Sequence, residues 1–185
     1  GGSIMPRIAK SLLFYVLTLS FVTAVSLSAQ PMKESMFNDA KTAIAAARAA
    51  QADVLAPKNF GKAMEHYGEA EKRFERGKDI QSIRSHLEKC VSYLDKAMEA
   101  TKLANVTFPT AIQAREDAMK ADAPEHSGGL WEKGEKKFSD AARKLEDGDV
   151  NDARENSADA ESLFRDAELD AIKNYMFDES RASFK

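Results

Sequence analysis

The chain has 185 residues, 43% hydrophobic and 31% charged, enough apolar content for one medium domain or two small ones with a real core and too much for a disordered chain. Its formal charge of −3 offers no basic stripe, which sets nucleic-acid binding aside. A single cysteine, Cys90, excludes an internal disulfide and a multi-thiolate metal site within one chain, and its spacing among apolar neighbours predicts a buried small side chain.

Gly1 to Ile4 precede Met5 and read as an expression remnant or a miscalled start. Residues 5–29 read as an export signal: basic Arg7 and Lys10, an uncharged run from Leu12 to Val25, then the small residues Ser26, Ser28 and Ala29, with cleavage expected between Ala29 and Gln30. The run is shorter than the about 20 residues that a membrane span needs. A cleaved signal is therefore expected rather than an anchor, with no stable membrane span after cleavage. Export without disulfides fits the bacterial periplasm or the cell exterior. Losing Arg7 and Lys10 with the signal leaves the mature chain more acidic still.

From Met32 to Ala56 the sequence is Ala-rich, and Phe37, Ala40, Ile44, Ala47, Gln51 and Val54 step by three and four, predicting a first helix with a thin buried face. Ala56-Pro57 punctuates, because proline disfavours a helical residue before it and suits the first turn of a helix. The second helix carries Phe60, Ala63, Tyr67, Ala70 and Phe74 on one stripe and ends at Gly77. Lys78 and Asp79 leave room only for a tight turn, which predicts an antiparallel hairpin with Asp79 as N-cap. The third helix holds the clearest stripe, Ile80, Ile83, Leu87, Cys90, Leu94, Ala97, Thr101 and Ala104. At Pro109 it either stops or kinks, and Thr110 with Gln113 fits a capping box for a restart. After Ala123-Pro124 a fourth helix carries Trp131, Gly134, Phe138, Ala141 and Leu145 and closes at Gly148. The fifth runs from Asp149 to about Tyr175 on Val150, Ala153, Ser157, Ala160, Phe164, Ala167 and Ala171, each 70 positions after its counterpart in the third. The polar tail 178–185 is expected to fray.

These elements predict an all-α fold of two repeated three-helix units, 32–106 and 107–177, arranged as antiparallel hairpins in a spectrin-like row or as one five-helix bundle. The row is preferred, because each unit owns a complete apolar seam. Arg48 to Pro57 matches Arg115 to Pro124 at an offset of 67; four extra residues near Ser127-Gly128-Gly129 then bring the offset to 71, pairing Phe60 with Trp131, Tyr67 with Phe138 and Gly77 with Gly148. The Ala-Pro boundaries at Ala56-Pro57 and Ala123-Pro124, the spaced Tyr67, Ala70, Phe74 and Phe138, Ala141, Leu145, and the turns Gly77 to Asp79 and Gly148-Asp149 resemble the bacterial domain-of-unknown-function family 4398 over about residues 40–172. That resemblance implies an exported envelope protein and no catalytic residues.

Reactive constellations are missing from the sequence. None of His66, His86 and His126 follows a glutamate by three positions, and no His-Glu-x-x-His or Cys-x-x-Cys-His pattern occurs. His66 and His86 lie beside the apolar stripes, where a two-histidine metal site across the hairpin is conceivable. Lacking a third ligand, they read as partly exposed surface residues, and no metal or other cofactor is expected. Ser127-Gly128-Gly129 lacks the lysine and strand of a phosphate loop. Trp131, Phe60, Tyr67, Phe138 and Phe74 read as core rather than as a ligand stack. Tyr175, Met176 and Phe177 stand outside the regular stripe, either as helix-end packing or as an exposed anchor for a partner.

A non-enzymatic envelope scaffold or adaptor is therefore expected, with one or more envelope proteins as partners and with homo-oligomers open to it. The alternative is a binding module for a small apolar or lipidic ligand held between helices. A chaperone for unfolded clients has no positive support.

Overall fold

The computed structural model describes residues 31–183, and side chains as far as residue 177. The expected signal 5–29, Gly1 to Ile4 before it and residues 184–185 lie outside the described residues. Among the described residues the chain is all-α, with eight helices and no strand. They are α1 (31–49), α2 (Ala52–Leu55), α3 (Pro57–Glu75), α4 (Ile80–Thr107), α5 (Pro109–Lys120), α6 (Ala123–His126), α7 (Gly128–Glu146) and α8 (Val150–Ser183). None is long and apolar enough to cross a membrane.

Five helices were expected, and the difference begins at Gln51. The first helix does not reach Ala56: it ends at residue 49, Gln51 takes the left-handed conformation at φ 58°, and the single turn α2 follows. Nothing in Ala49-Ala50-Gln51-Ala52 disfavours a helix locally. The break turns Ala52, Leu55 and Ala56 inward, and burial of these side chains outweighs a left-handed cost of roughly 1–2 kcal/mol. The same device recurs at Asp122, φ 53°, before α6.

At Pro109 the helix kinks across one residue. Phe108 leaves helical geometry at φ −122°, ψ 35°, yet its N–H still donates to the Ala104 carbonyl at 2.8 Å and its own carbonyl accepts from Ile112 at 3.0 Å. The expected capping box does not form. Thr110 Oγ1 donates instead to Glu161 at 2.6 Å and the Gln113 amide to Asp117 at 2.7 Å. Pro109 opens α5, where its missing N–H costs nothing, and the Phe108 ring is buried against Phe138 with centroids 6.3 Å apart. At the other end, α8 continues through the expected fraying point to Ser183, no proline or glycine intervening after Ala171.

Turns elsewhere follow their sequence signals. Gly77 and Gly148 adopt φ 60° and 86°, a conformation open to glycine at a helix end, and Asp79 caps α4 by accepting from the Ser82 N–H at 3.1 Å. α3 packs on α4 and α7 on α8, with α5 and α6 also lying along α8. Two apolar cores result. One gathers Phe37, Ile44, Phe60, Ile83, Leu87, Cys90 and Leu94; the other gathers Phe108, Phe138, Leu145 and Phe164 among closely set alanines and also takes in Leu55 and Ala104.

Backbone landmarks in the two halves keep one spacing of 71: Gln51 with Asp122, Ala56 with Ser127, α2 with α6, α3 with α7, and Gly77 with Gly148. The expected offset of 67 and its four-residue insertion are therefore wrong. Pro57 opens α3, whereas Pro124 lies within α6, so the two Ala-Pro pairs are not equivalent positions. The halves meet end to end. Both carboxylate oxygens of Glu146, in the last turn of α7, accept from the Lys58 and Asn59 N–H groups of the first turn of α3 at 2.8 Å, and the Lys58 ammonium pairs with Asp147.

Candidate functional site

Three surface features stand apart from the packed cores. The first is the C-terminal part of α8. Its inward face is pinned: the Asn174 amide donates to the His126 carbonyl at 2.8 Å, Ser127 Oγ donates to Asp170 at 2.7 Å, and the Tyr175 ring meets His126 edge-on with centroids 6.0 Å apart. Away from that face it carries exposed Leu169, Ile172, Met176 and Phe177, Phe177 being 66% exposed, and Tyr175 lies at the edge of the pinned face with its ring half open to solvent. Of these, Tyr175, Met176 and Phe177 were singled out from sequence. Leu169 and Ile172 were missed, although with Met176 they step by three and four on a face other than the one that Phe164, Ala167 and Ala171 bury. In the first half, α2 and α4 touch α7 through the buried Leu55 and Ala104, which join the second core, while Lys102 and Val106, the α4 positions 70 residues before Ile172 and Met176, are exposed.

The second feature is a groove of about 800 Å³ between α1 and α4. Met32, Met36, Ala40, Ile80, Leu87 and Val91 give it an apolar lining, and Asp39, Arg84, Glu88 and Asp95 bring charge to it. The matching seam between α5 and α8 is bridged by polar contacts, Thr110 with Glu161 and Asp117 with Arg165 at 2.9 Å. Met32 and Met36, one helical turn apart, were the available sequence signal for the groove.

The third is the face of the α3–α4 hairpin where His66 and His86 meet, Nδ1 to Nδ1 at 3.2 Å. Tyr93 stacks on His66 with an interplanar angle of 16°, and the Lys62 and Lys96 ammonium groups lie over the Tyr93 ring. Arg73 bridges Glu69 at 3.1 Å and Ser82 at 2.7 Å beside His86. Partial burial, with help from the cations Arg73 and Lys89, holds the His86 imidazole below its ordinary value. Among the described residues no three His, Cys, Asp or Glu side chains converge as they stand on a point that holds a metal ion.

The aromatic residues expected in the core lie in or against it. Phe60 and Phe138 are buried, while Tyr67, Phe74 and Trp131 are half-buried against the cores, Trp131 between Phe164 at 5.2 Å and the Arg115 guanidinium at 5.4 Å. Cys90 is fully buried and its thiol is pushed up to about 11 by desolvation, so it carries little thiolate at neutral pH. No protein-family model, curated protein or solved structure matches this chain.

Proposed function

We propose that this protein is a non-enzymatic helical scaffold or adaptor of a bacterial envelope, exported through residues 5–29 and acting through protein–protein contacts. Its body is two copies of one three-helix unit, of the kind the domain-of-unknown-function family 4398 suggests. The observation that carries the reading is the set of exposed large apolar side chains on the C-terminal part of α8, Leu169, Ile172 and Phe177, on a helix whose other face is pinned by Asn174 and Asp170. A cluster of large apolar side chains held outward on a pinned helix marks a contact surface rather than a folding defect.

The test compares the mature chain with a Leu169→Ser/Ile172→Ser/Phe177→Ser variant. An envelope partner, or self-association, that the parent shows and the variant loses at unchanged helical content supports the reading. A parent that stays monomeric and retains nothing from an envelope extract removes it.

The α1–α4 groove favours a second reading, a module that binds a small apolar or lipidic ligand. Trp131 packs in the other core, on Phe164, and is a poor reporter for this groove. A tryptophan introduced as Ile80→Trp, whose emission shifts to the blue with single-chain amphiphiles, is the sensitive probe. Emission indifferent to them disposes of the idea.

A further inference from the structure

We propose that His66 and His86 form a divalent-metal site that ties α3 to α4, with Glu69, whose charge acts on His86, as the carboxylate able to join them. The two Nδ1 atoms stand 3.2 Å apart on neighbouring helices. Two nitrogens bound to one zinc ion at tetrahedral angles lie about 3.3–3.4 Å apart, given Zn–N bonds of about 2.0–2.1 Å. The pair thus already stands at close to the separation of two ligands on one ion.

Several surroundings favour ligation. Tyr93 stacks on His66 and limits its ring rotation, so little orientational freedom remains to be lost on binding. The Nδ1···Nδ1 contact is a hydrogen bond, one ring donating and the other accepting, so the ion takes the place of the bridging proton. The donor ring ligates as the neutral imidazole that keeps its proton on Nε2, and the Nδ1 proton passes to solvent. Both rings are only half-buried, which leaves solvent access for an ion and for the water that completes a tetrahedron.

Glu69 lies one turn beyond His66 on α3 and close enough to His86 for its charge to act on that ring. It now accepts from Arg73 Nε. Rotation of its half-exposed side chain towards the histidines leaves Arg73 its second partner, Ser82. Arg73 and Lys89 oppose a cation here, so the expected affinity is weaker than that of a closed four-ligand structural site.

The experiment titrates the metal-free chain, residues 30–185, with zinc chloride, following heat and the histidine imidazole NMR resonances, and repeats both with His66→Gln, His86→Gln and Glu69→Gln variants. The expected result is one zinc ion per chain, resonances of His66 and His86 shifting together while His126 stays put, and a raised melting temperature. Each histidine variant should weaken binding by about tenfold or more, the scale felt when even an outer-shell partner is lost, and Glu69→Gln by less. Zinc binding that is absent in the parent, unchanged in the histidine variants, or reported by His126 alone overturns the site. Should one histidine variant fail to fold, the melting-temperature rise in the parent and the paired resonance shifts still decide.

Discussion

Gly134 lies directly beneath the ring of Phe164: a Cβ built on Gly134 would fall 2.7 Å from the ring's Cε1 atom, inside any real carbon–carbon contact. The positions 71 and 70 residues earlier hold Ala63 and Leu94, so the second half carries a larger residue on α8 against a smaller one on α7. The glycine makes room for the ring.

Gly134→Ala tests that exchange. In a free helix alanine gains about 0.5–1 kcal/mol over glycine, but a fully buried phenylalanine ring has nowhere to yield, and overpacking costs about 1–3 kcal/mol. Net destabilisation is expected in denaturant melts. Adding Phe164→Leu to Gly134→Ala should recover part of the loss; strictly additive effects in the double-mutant cycle argue against the contact.

Phe108 and Pro109 divide the work of the kink unequally. Phe108→Ala should cost about 3–5 kcal/mol, since the ring is buried where the second core begins. Pro109→Ala should stay within about 0.5 kcal/mol, because the missing N–H sits at a first-turn position that has no helical partner to lose. A large effect of Pro109→Ala would show that the proline, not the buried ring, holds the bend.

Gln51 is a left-handed residue with a Cβ. Gln51→Gly should raise the melting temperature slightly, relief of roughly 1–2 kcal/mol of left-handed strain exceeding the entropic penalty of glycine. Gln51→Val should lower it. Equal melting points for all three would mean that the break at this position carries no strain.

The end-to-end contact answers to charge. Glu146→Ala should destabilise by about 1 kcal/mol, the cost of losing a carboxylate that caps two first-turn amides. Asp147, held below its ordinary value of 3.8 by Lys58, and Asp117, held low by Arg165 and Gln113, have depressed folded values, so the folded chain binds fewer protons than the unfolded one. Their contribution is fully present above about pH 4 and is lost as pH falls through the folded values. Acid titration at low salt, followed by circular dichroism, should show a stability loss in that window that shrinks in Asp147→Asn.

Cys90 should react with a thiol reagent only as fast as the first half opens. Labelling that tracks unfolding across a urea series is expected; fast labelling in native buffer would contradict a core position.

Helix identity along most of this chain is written in local spacing. Ile83, Leu87, Cys90, Leu94, Ala97, Thr101 and Ala104 are buried as their three-and-four steps require, while Ile80 and Val150, expected first on the two stripes, are exposed in the opening turns of α4 and α8. Gly77, Gly148 and Asp79 terminate or cap helices for reasons internal to a few residues. The break at Gln51 carries no such signal, because its alanine-rich flanks favour continuation and only burial of Leu55 and its neighbours reverses the outcome, whereas Asp122 stands two residues before Pro124, where the sequence already marks a boundary. The misplaced equivalence of Pro57 and Pro124 has the same root: two like dipeptides were matched where the shared feature is a backbone turn that different side chains adopt.

The sequence by itself determined the all-α class, the hairpin turns and which face of each long helix is apolar, since these depend on residues within a turn or two of one another. Only the tertiary structure decided that Glu146 seats on the start of α3, that His66 meets His86, that Gly134 admits Phe164, and that Leu169 and Ile172 face outward. Those relations join residues on different helices, and their distances depend on how the apolar stripes settle against each other, which no single stripe encodes.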